Sequence, residues 1–268
     1  MNTSLLTILI ASVIALTIFL LIKFYKNSFQ VKPSKLSYNE RASLKTNLDL
    51  ALNKDNLSDR YIRAGRREKK NDFKGAIEDI NVILQHETDN VELVFKRGLN
   101  KFKISDFKGA IVDFAEVLKN NPADRYAYYY RGVANLRLSN FTNAFNDLTS
   151  AIKLEINEKE VYFHRGLAEI EVEKYSEAID DFNVYLVENP NAVGAYFNRG
   201  IAYNKCDNFD FALKDFDKAI ELNPNHEKAF FERAFVKKNL NDLDGYSNDL
   251  KTSYNKGYLH AYHFLKET

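Results

Sequence analysis

Cysteine is nearly absent from this chain. Cys206 is the single one, so no internal disulfide can form, and no cysteine near the amino terminus offers a site for a lipid. Tryptophan is missing and proline occurs only four times. No glycine-rich phosphate loop, no Cys/His grouping and no convincing nucleophile–base pair appears. The sequence therefore reads as non-enzymatic, with no cofactor and no metal. His260 and His263 lie three apart near the carboxyl end, but two ligands alone make a weak metal site. Acidic side chains are missing from residues 1–35, which hold Lys23, Lys26, Lys32 and Lys35. The other 233 residues carry 34 basic and 37 acidic side chains, a net of −3. Such a balance speaks against nucleic acid as a partner, because phosphate recognition needs a basic face. The one basic cluster, "RAGRREKK" from Arg63 to Lys70, reads as a solvated helix face, with anionic lipid or an acidic partner as the alternative.

What is present begins with an apolar run. Residues 5–22, "LLTILIASVIALTIFLLI", contain no charge. As a helix, that run spans about 27 Å, close to the hydrocarbon thickness of a bilayer. A cleaved secretory signal is the rival, but no basic residue precedes the run and no small-x-small site follows it. We read an uncleaved transmembrane anchor over residues 1–26 that contacts the lipid bilayer through residues 5–22. All four flanking lysines follow the span, so the positive-inside tendency puts the rest of the chain in the cytoplasm. The protein would then be a single-pass membrane protein. Residues 27–56 read as a tether and a short helix, with Leu44, Leu48 and Leu52 at helical spacing.

The remainder is periodic. Arg-Gly steps begin at Arg97, Arg131, Arg165 and Arg199, 34 residues apart each time. When the Gly of each step is numbered 8, six units follow without insertion: 57–90, 91–124, 125–158, 159–192, 193–226 and 227–260. Position 8 is always small, Gly or Ala. Position 20 is Ala in five units, and position 24 is apolar in all six (Ile80, Phe114, Leu148, Phe182, Phe216, Leu250). Pro122, Pro190 and Pro224 share position 32. Apolar recurrence at helical spacing, punctuated by proline turns, predicts paired helices. Position 7 is Arg and position 23 is Asp throughout, including Arg97 with Asp113, Arg131 with Asp147, Arg165 with Asp181, and Arg199 with Asp215. A cation and an anion recurring together suggest structural ion pairs rather than six phosphate sites. Each Asp could pair with the Arg of its own unit or of the next.

This pattern resembles the tetratricopeptide repeat, a period of 34 with aromatic, small, Tyr, Ala, Phe and Pro positions. The resemblance implies an all-α, right-handed α-α superhelical solenoid of about six helical hairpins, preceded by the one transmembrane helix. Departures are Tyr128, Tyr162, Tyr196 and Phe230 in place of the usual Trp, and Arg in place of Leu at position 7. A capping helix is expected over residues 258–268, with Leu259, Tyr262 and Leu265 covering the last hairpin.

By the same resemblance, positions 2, 6, 9 and 13 of each first helix line a concave groove. The candidate peptide-binding residues are Lys96, Leu99, Tyr126, Tyr130, Val133, Arg137, His164, Leu167, Asn198, Ile201 and Lys205. Co-chaperones of this fold grip the carboxyl terminus of heat-shock proteins with Lys at 5, Asn at 9, Asn at 6, Lys at 2 and Arg at 6. Here position 5 is aromatic throughout, position 9 is never Asn, and Glu232 replaces the closing Arg, so that clamp is not expected. The function expected is a membrane-anchored scaffold or adaptor that binds peptide segments or partner proteins in the groove. The alternative is an envelope or periplasmic chaperone-like protein capturing unfolded clients.

Overall fold

A computed structural model describes residues 57–266. The expected anchor at 5–22, the tether and helix over 27–56 and the last two residues lie outside these. Among the described residues there are helices and turns and no strand, and no helix is long and apolar enough to cross a membrane.

Among the described residues thirteen helices follow one another: α1 (57–69), α2 (Phe73–Leu84), α3 (Val91–Lys103), α4 (Phe107–Asn120), α5 (Arg125–Arg137), α6 (Phe141–Lys153), α7 (Glu160–Glu171), α8 (Tyr175–Glu188), α9 (Val193–Lys205), α10 (Phe209–Leu222), α11 (Glu227–Asn239), α12 (Leu243–Asn255) and α13 (Ala261–Leu265). From α2 on, each packs on its sequence neighbours, and α3, α5, α7, α9 and α11 also touch in series. The result is a solenoid of hairpins.

Two local devices set the corners. The first sits at position 15, where Asn71, Ser105, Ser139, Glu173, Asp207 and Asn241 all have φ between 57° and 64°. One left-handed residue ends each first helix. The next amide then donates back five residues, as in Asp106 N to the Lys101 oxygen at 2.9 Å and Asn208 N to the Tyr203 oxygen at 2.9 Å. That closure satisfies carbonyls that the helix end would otherwise orphan. Position 16 starts the second helix, and Asp72, Asp106 and Asp242 there accept the amides of Gly75, Gly109 and Gly245. The second device is the Asn-Pro step. The helices α4, α8 and α10 stop two residues before Pro122, Pro190 and Pro224. The intervening Asn121, Asn189 and Asn223 have φ between −124° and −136°, away from the helical region that a following proline disfavours.

The core lies between the two helices of each hairpin. Positions 20 and 24 are buried in every unit, with Phe114, Phe182 and Phe216 fully enclosed. Position 8 is small because the position 24 side chain lies on it: a Cβ added at Gly200 or Gly166 would stand 2.9 Å from the ring of Phe216 or Phe182.

Beside this apolar contact runs a charged one. In each unit the Arg at position 7 grips the Asp at position 23 of its own hairpin. Nε and Nη2 donate to the two carboxylate oxygens at 3.0 and 2.7 Å for Arg97–Asp113, 2.9 and 2.7 Å for Arg131–Asp147, 2.7 and 2.7 Å for Arg165–Asp181 and for Arg199–Asp215, and 2.8 and 2.7 Å for Arg233–Asp249. Arg63 and Asp79 pair likewise. The two sequence departures are linked here, because the aromatic ring at position 4 lies under the guanidinium at position 7. Arg131 is 5.6 Å from the Tyr128 centroid, Arg199 is 5.4 Å from Tyr196, and Arg233 is 5.2 Å from Phe230.

The end of the chain differs from expectation. Only Ala261–Leu265 is helical after the turn at Gly257, and Leu259 and Tyr262 are exposed. Fully buried Ala261, with Tyr258, Phe264 and Leu265, covers the last hairpin. Residues 261, 264 and 265 share one face at i, i+3 and i+4, which turns 262 outward.

Position 11 completes the carboxylate's surroundings, and here the units differ. Lys101 and Lys237 each reach the Asp at 2.8 Å and Arg67 reaches it at 2.9 Å, while Asn135 donates at 3.2 Å. In the fourth unit the residue is Glu169, 2% exposed, sharing Arg165 with Asp181. Burial first, then the Asp181 charge, pushes the Glu169 carboxyl up to about 8, with Arg165 opposing. The folded state thus holds a proton that the unfolded chain releases near its ordinary value. Stability from this group is full below about pH 4.5 and falls as pH rises toward 8. Urea melts of the wild type and Glu169→Gln should therefore converge at pH 4.5 and diverge by pH 8, the variant being the more stable. A second pair of variants tests the packing. Gly200→Ala should destabilise, since overpacking costs about 1–3 kcal/mol against a helix-propensity gain of about 1 kcal/mol. Gly65→Ala meets nothing within 4 Å and should stabilise, both effects being read from the same melts.

Candidate functional site

The first helices leave one long face uncovered by the second helices, and two cavities open on it. The cavity between α3 and α5 is about 510 Å³, lined by Leu99, Phe102, Lys103, Phe107, Tyr130 and Arg137 among others. The cavity between α5 and α7 is about 400 Å³, lined mainly by Val133, Leu136, Phe163, His164, Leu167 and Ile170, with Arg137 and Glu171 at the rim and Asn198 from α9. Arg137 is exposed and belongs to both.

Seven of the candidate groove residues thus meet at these cavities: Leu99, Tyr130, Val133, Arg137, His164, Leu167 and Asn198. Four line neither. Lys96 is held by Glu92 one turn away at 2.8 Å. Tyr126 packs into the core around Leu148 and lies under Arg125. Ile201 packs beside Phe216. Lys205 stands beside Glu232, whose carboxyl burial raises and Lys205 lowers.

Identifiable contacts hold the wall side chains. Tyr130 stacks on buried Phe114, ring centroids 5.9 Å apart and planes 22° apart, with Phe102 at 5.8 Å edge-on. The Asn198 amide donates to the Gly194 carbonyl at 2.7 Å, and that bond leaves its side-chain oxygen unused. His164 is wedged between Tyr129 and Phe163, at 6.0 and 5.6 Å. Burial, then the Arg137 charge, drives its imidazole down to about 4, with Glu160 opposing. At neutral pH it is an uncharged wall element.

Three of the lining residues missed from sequence share position 12: Phe102, Leu136 and Ile170. The signal was available, since position 12 is apolar only in the second, third and fourth units, where the cavities open, and reads Glu68, Asn204 and Lys238 elsewhere. A further distinction marks the same place. Arg97, Arg199 and Arg233 each extend Nη1 to position 25 of the preceding unit, reaching Asn81 at 3.1 Å, Asn183 at 2.6 Å and Asp217 at 2.6 Å. At the two cavity junctions position 25 is Ala115 and Thr149, and the Thr149 hydroxyl has no partner. The middle of the solenoid lacks the cross-unit bond found on either side.

Residues 95–155 and 193–226 match sequence patterns of the tetratricopeptide repeat. The fold is a tetratricopeptide-repeat solenoid. Among solved structures, a MamA protein is 26% identical, with a TM-score of 0.57 over 64% of this chain and 94% of that one. YrrB, described as a tetratricopeptide protein with an unusual peptide-binding site, is 15% identical, with a TM-score of 0.62 over 70% of this chain and 97% of that one. MamA from Desulfovibrio magneticus RS-1 is 17% identical, with a TM-score of 0.56 over 64% and 96%. No curated protein matches the sequence.

His164 offers a direct check on the cavity. Because its folded value lies below the usual 6.5, the unfolded chain takes up a proton first, and this group's stability contribution is lost as pH falls from about 6.5 through 4. In an NMR titration the His164 ring should stay neutral down to pH 5, and Arg137→Gln should move its midpoint upward.

Proposed function

We propose that this protein is a membrane-anchored tetratricopeptide scaffold that holds peptide segments or partner proteins in the groove of its first helices. The observation that carries this reading is the pair of apolar-walled cavities on adjacent junctions, joined at Arg137. Convergent apolar walls with a few placed polar groups are the usual composition of a binding site for an extended or helical peptide. YrrB, which shares the fold, is a peptide binder by its description, and that supports the class of function though not the partner. The scaffold role needs no chemistry of its own. Anchoring rests on the uncharged run at 5–22 and the lysines after it, which also favour a cytoplasmic solenoid. The heat-shock-protein clamp is no part of this reading, since Phe197 and Phe231 stand at position 5 and Glu232 at the closing place.

Two measurements check the proposal. A photo-reactive residue replacing Tyr130 in intact membranes should yield one or two discrete partner adducts that vanish when Leu167→Asp is added. A broad smear of clients would favour the chaperone-like alternative instead. A reporter fused after Thr268 should be active in the cytoplasm, and activity on the other side of the membrane would overturn the orientation.

A further inference from the structure

The groove has a charge pattern that its paired arginines do not share. Position 13 of the first three units is Lys69, Lys103 and Arg137, all exposed at the carboxyl-terminal turns of α1, α3 and α5. None of the three forms an ion pair among the described residues. Lys103 instead lies over the Phe73 ring at 5.3 Å. Every Arg at position 7, by contrast, has its own carboxylate within 3 Å or so across the hairpin. In the fourth unit the sign reverses at Glu171, on the far rim of the α5–α7 cavity. The first three units of the groove therefore present three unpaired cations, with the apolar cavities on either side of Arg137, while beyond Glu171 position 13 is Lys205, beside Glu232.

Resting on the groove reading above, we propose that the partner segment is acidic and apolar: a carboxylate on Arg137, flanked by two apolar side chains that enter the α3–α5 and α5–α7 cavities, and further acidic residues running toward Lys103 and Lys69. The spacing follows from the fold. Successive packed helices lie about 8–10 Å apart, so neighbouring cavities are about three residues apart for a chain in the polyproline II conformation, which rises about 3.1 Å per residue with three residues per turn and so turns both anchors to one side. A carboxylate between the anchors meets Arg137 as a charge-assisted, bidentate contact, for which a planar guanidinium with free donors is suited. A segment with a basic residue in that interval would instead set a like charge against Arg137.

The test pans a random 12-residue peptide library displayed on phage against the whole 268-residue chain in detergent micelles. Recovered peptides are then synthesised and their affinities measured against the wild type and variants by fluorescence anisotropy. Recovered sequences should carry Asp or Glu between two apolar residues about three apart. Arg137→Glu should weaken them by about tenfold or more, the loss expected for a hydrogen-bonded charge, and should recover peptides with Lys or Arg in that interval. Lys103→Glu, at a second exposed position, should weaken those with additional acids. Recovered peptides that bind in the groove without an acidic excess, or with affinity indifferent to Arg137→Glu, overturn this proposal and leave the groove reading standing. Peptides indifferent to Leu167→Asp, with Leu99→Asp as the second variant should the first lose its helical circular dichroism, or no enrichment at all, overturn the groove reading itself.

Discussion

The structure depends on a buried carboxylate that must be answered. Each hairpin encloses an Asp at position 23, between 0 and 6% exposed. A charge in that setting costs several kcal/mol unless it is paired and hydrogen-bonded. The Arg at position 7 supplies a two-point contact, and its planar fork holds the two helices of the hairpin at a defined rotation and height. Other features of the repeat follow from where that Arg sits. The aromatic residue three positions earlier lies under the guanidinium, and the small residue next to it lets the position 24 side chain close the core beside the pair. Substituting Leu for the Arg, as the usual repeat has it, would remove the carboxylate's main partner, most severely in the units that have neither a cation nor an amide at position 11.

Because the same pair recurs six times, the units act as controls for one another. Four of them answer the second side of the carboxylate with a cation or an amide, from Arg67, Lys101, Asn135 or Lys237. The fourth unit places Glu169 there, and two acids then share one guanidinium. The outermost bond of the Arg varies in the same way, reaching the preceding unit at three junctions and finding Ala115 or Thr149 at the two in the middle. The two central junctions therefore lack a bond that the other three share, and it is there that the cavities open. Solenoid units are coupled mainly through nearest-neighbour contacts, so a bond missing at one junction leaves the corners of the other units as they are.

Charges on the first helices differ by register. Those at positions 7 and 11 point across the hairpin toward the Asp at position 23. Lys69, Lys103 and Arg137 at position 13 lie on the last turn and form no ion pair among the described residues. One residue type can therefore serve the fold in one register and face solvent in another. Arg137 is felt inside the cavity even so, since its charge helps keep His164 neutral.

Much of this was legible in the sequence. The period of 34, the small residues at positions 8 and 20, the apolar position 24 and the Asn-Pro steps determined hairpins of the observed size, because each constrains the backbone or the interhelix distance locally. Of the residues placed along a groove from sequence, Leu99, Tyr130, Val133, Arg137, His164, Leu167 and Asn198 line the two cavities, while Lys96, Tyr126, Ile201 and Lys205 line neither because neighbouring side chains hold them. Only the tertiary structure decided that each Asp takes the Arg of its own hairpin, since the spacing of 16 within a unit and 18 to the next allowed either. It also decided that position 15 is left-handed even where it is Glu or Asp, a choice made by the closing hydrogen bond and not by the residue. The cap at the chain's end turned on the same kind of detail: one residue of helical rotation placed Ala261 inside and Tyr262 out.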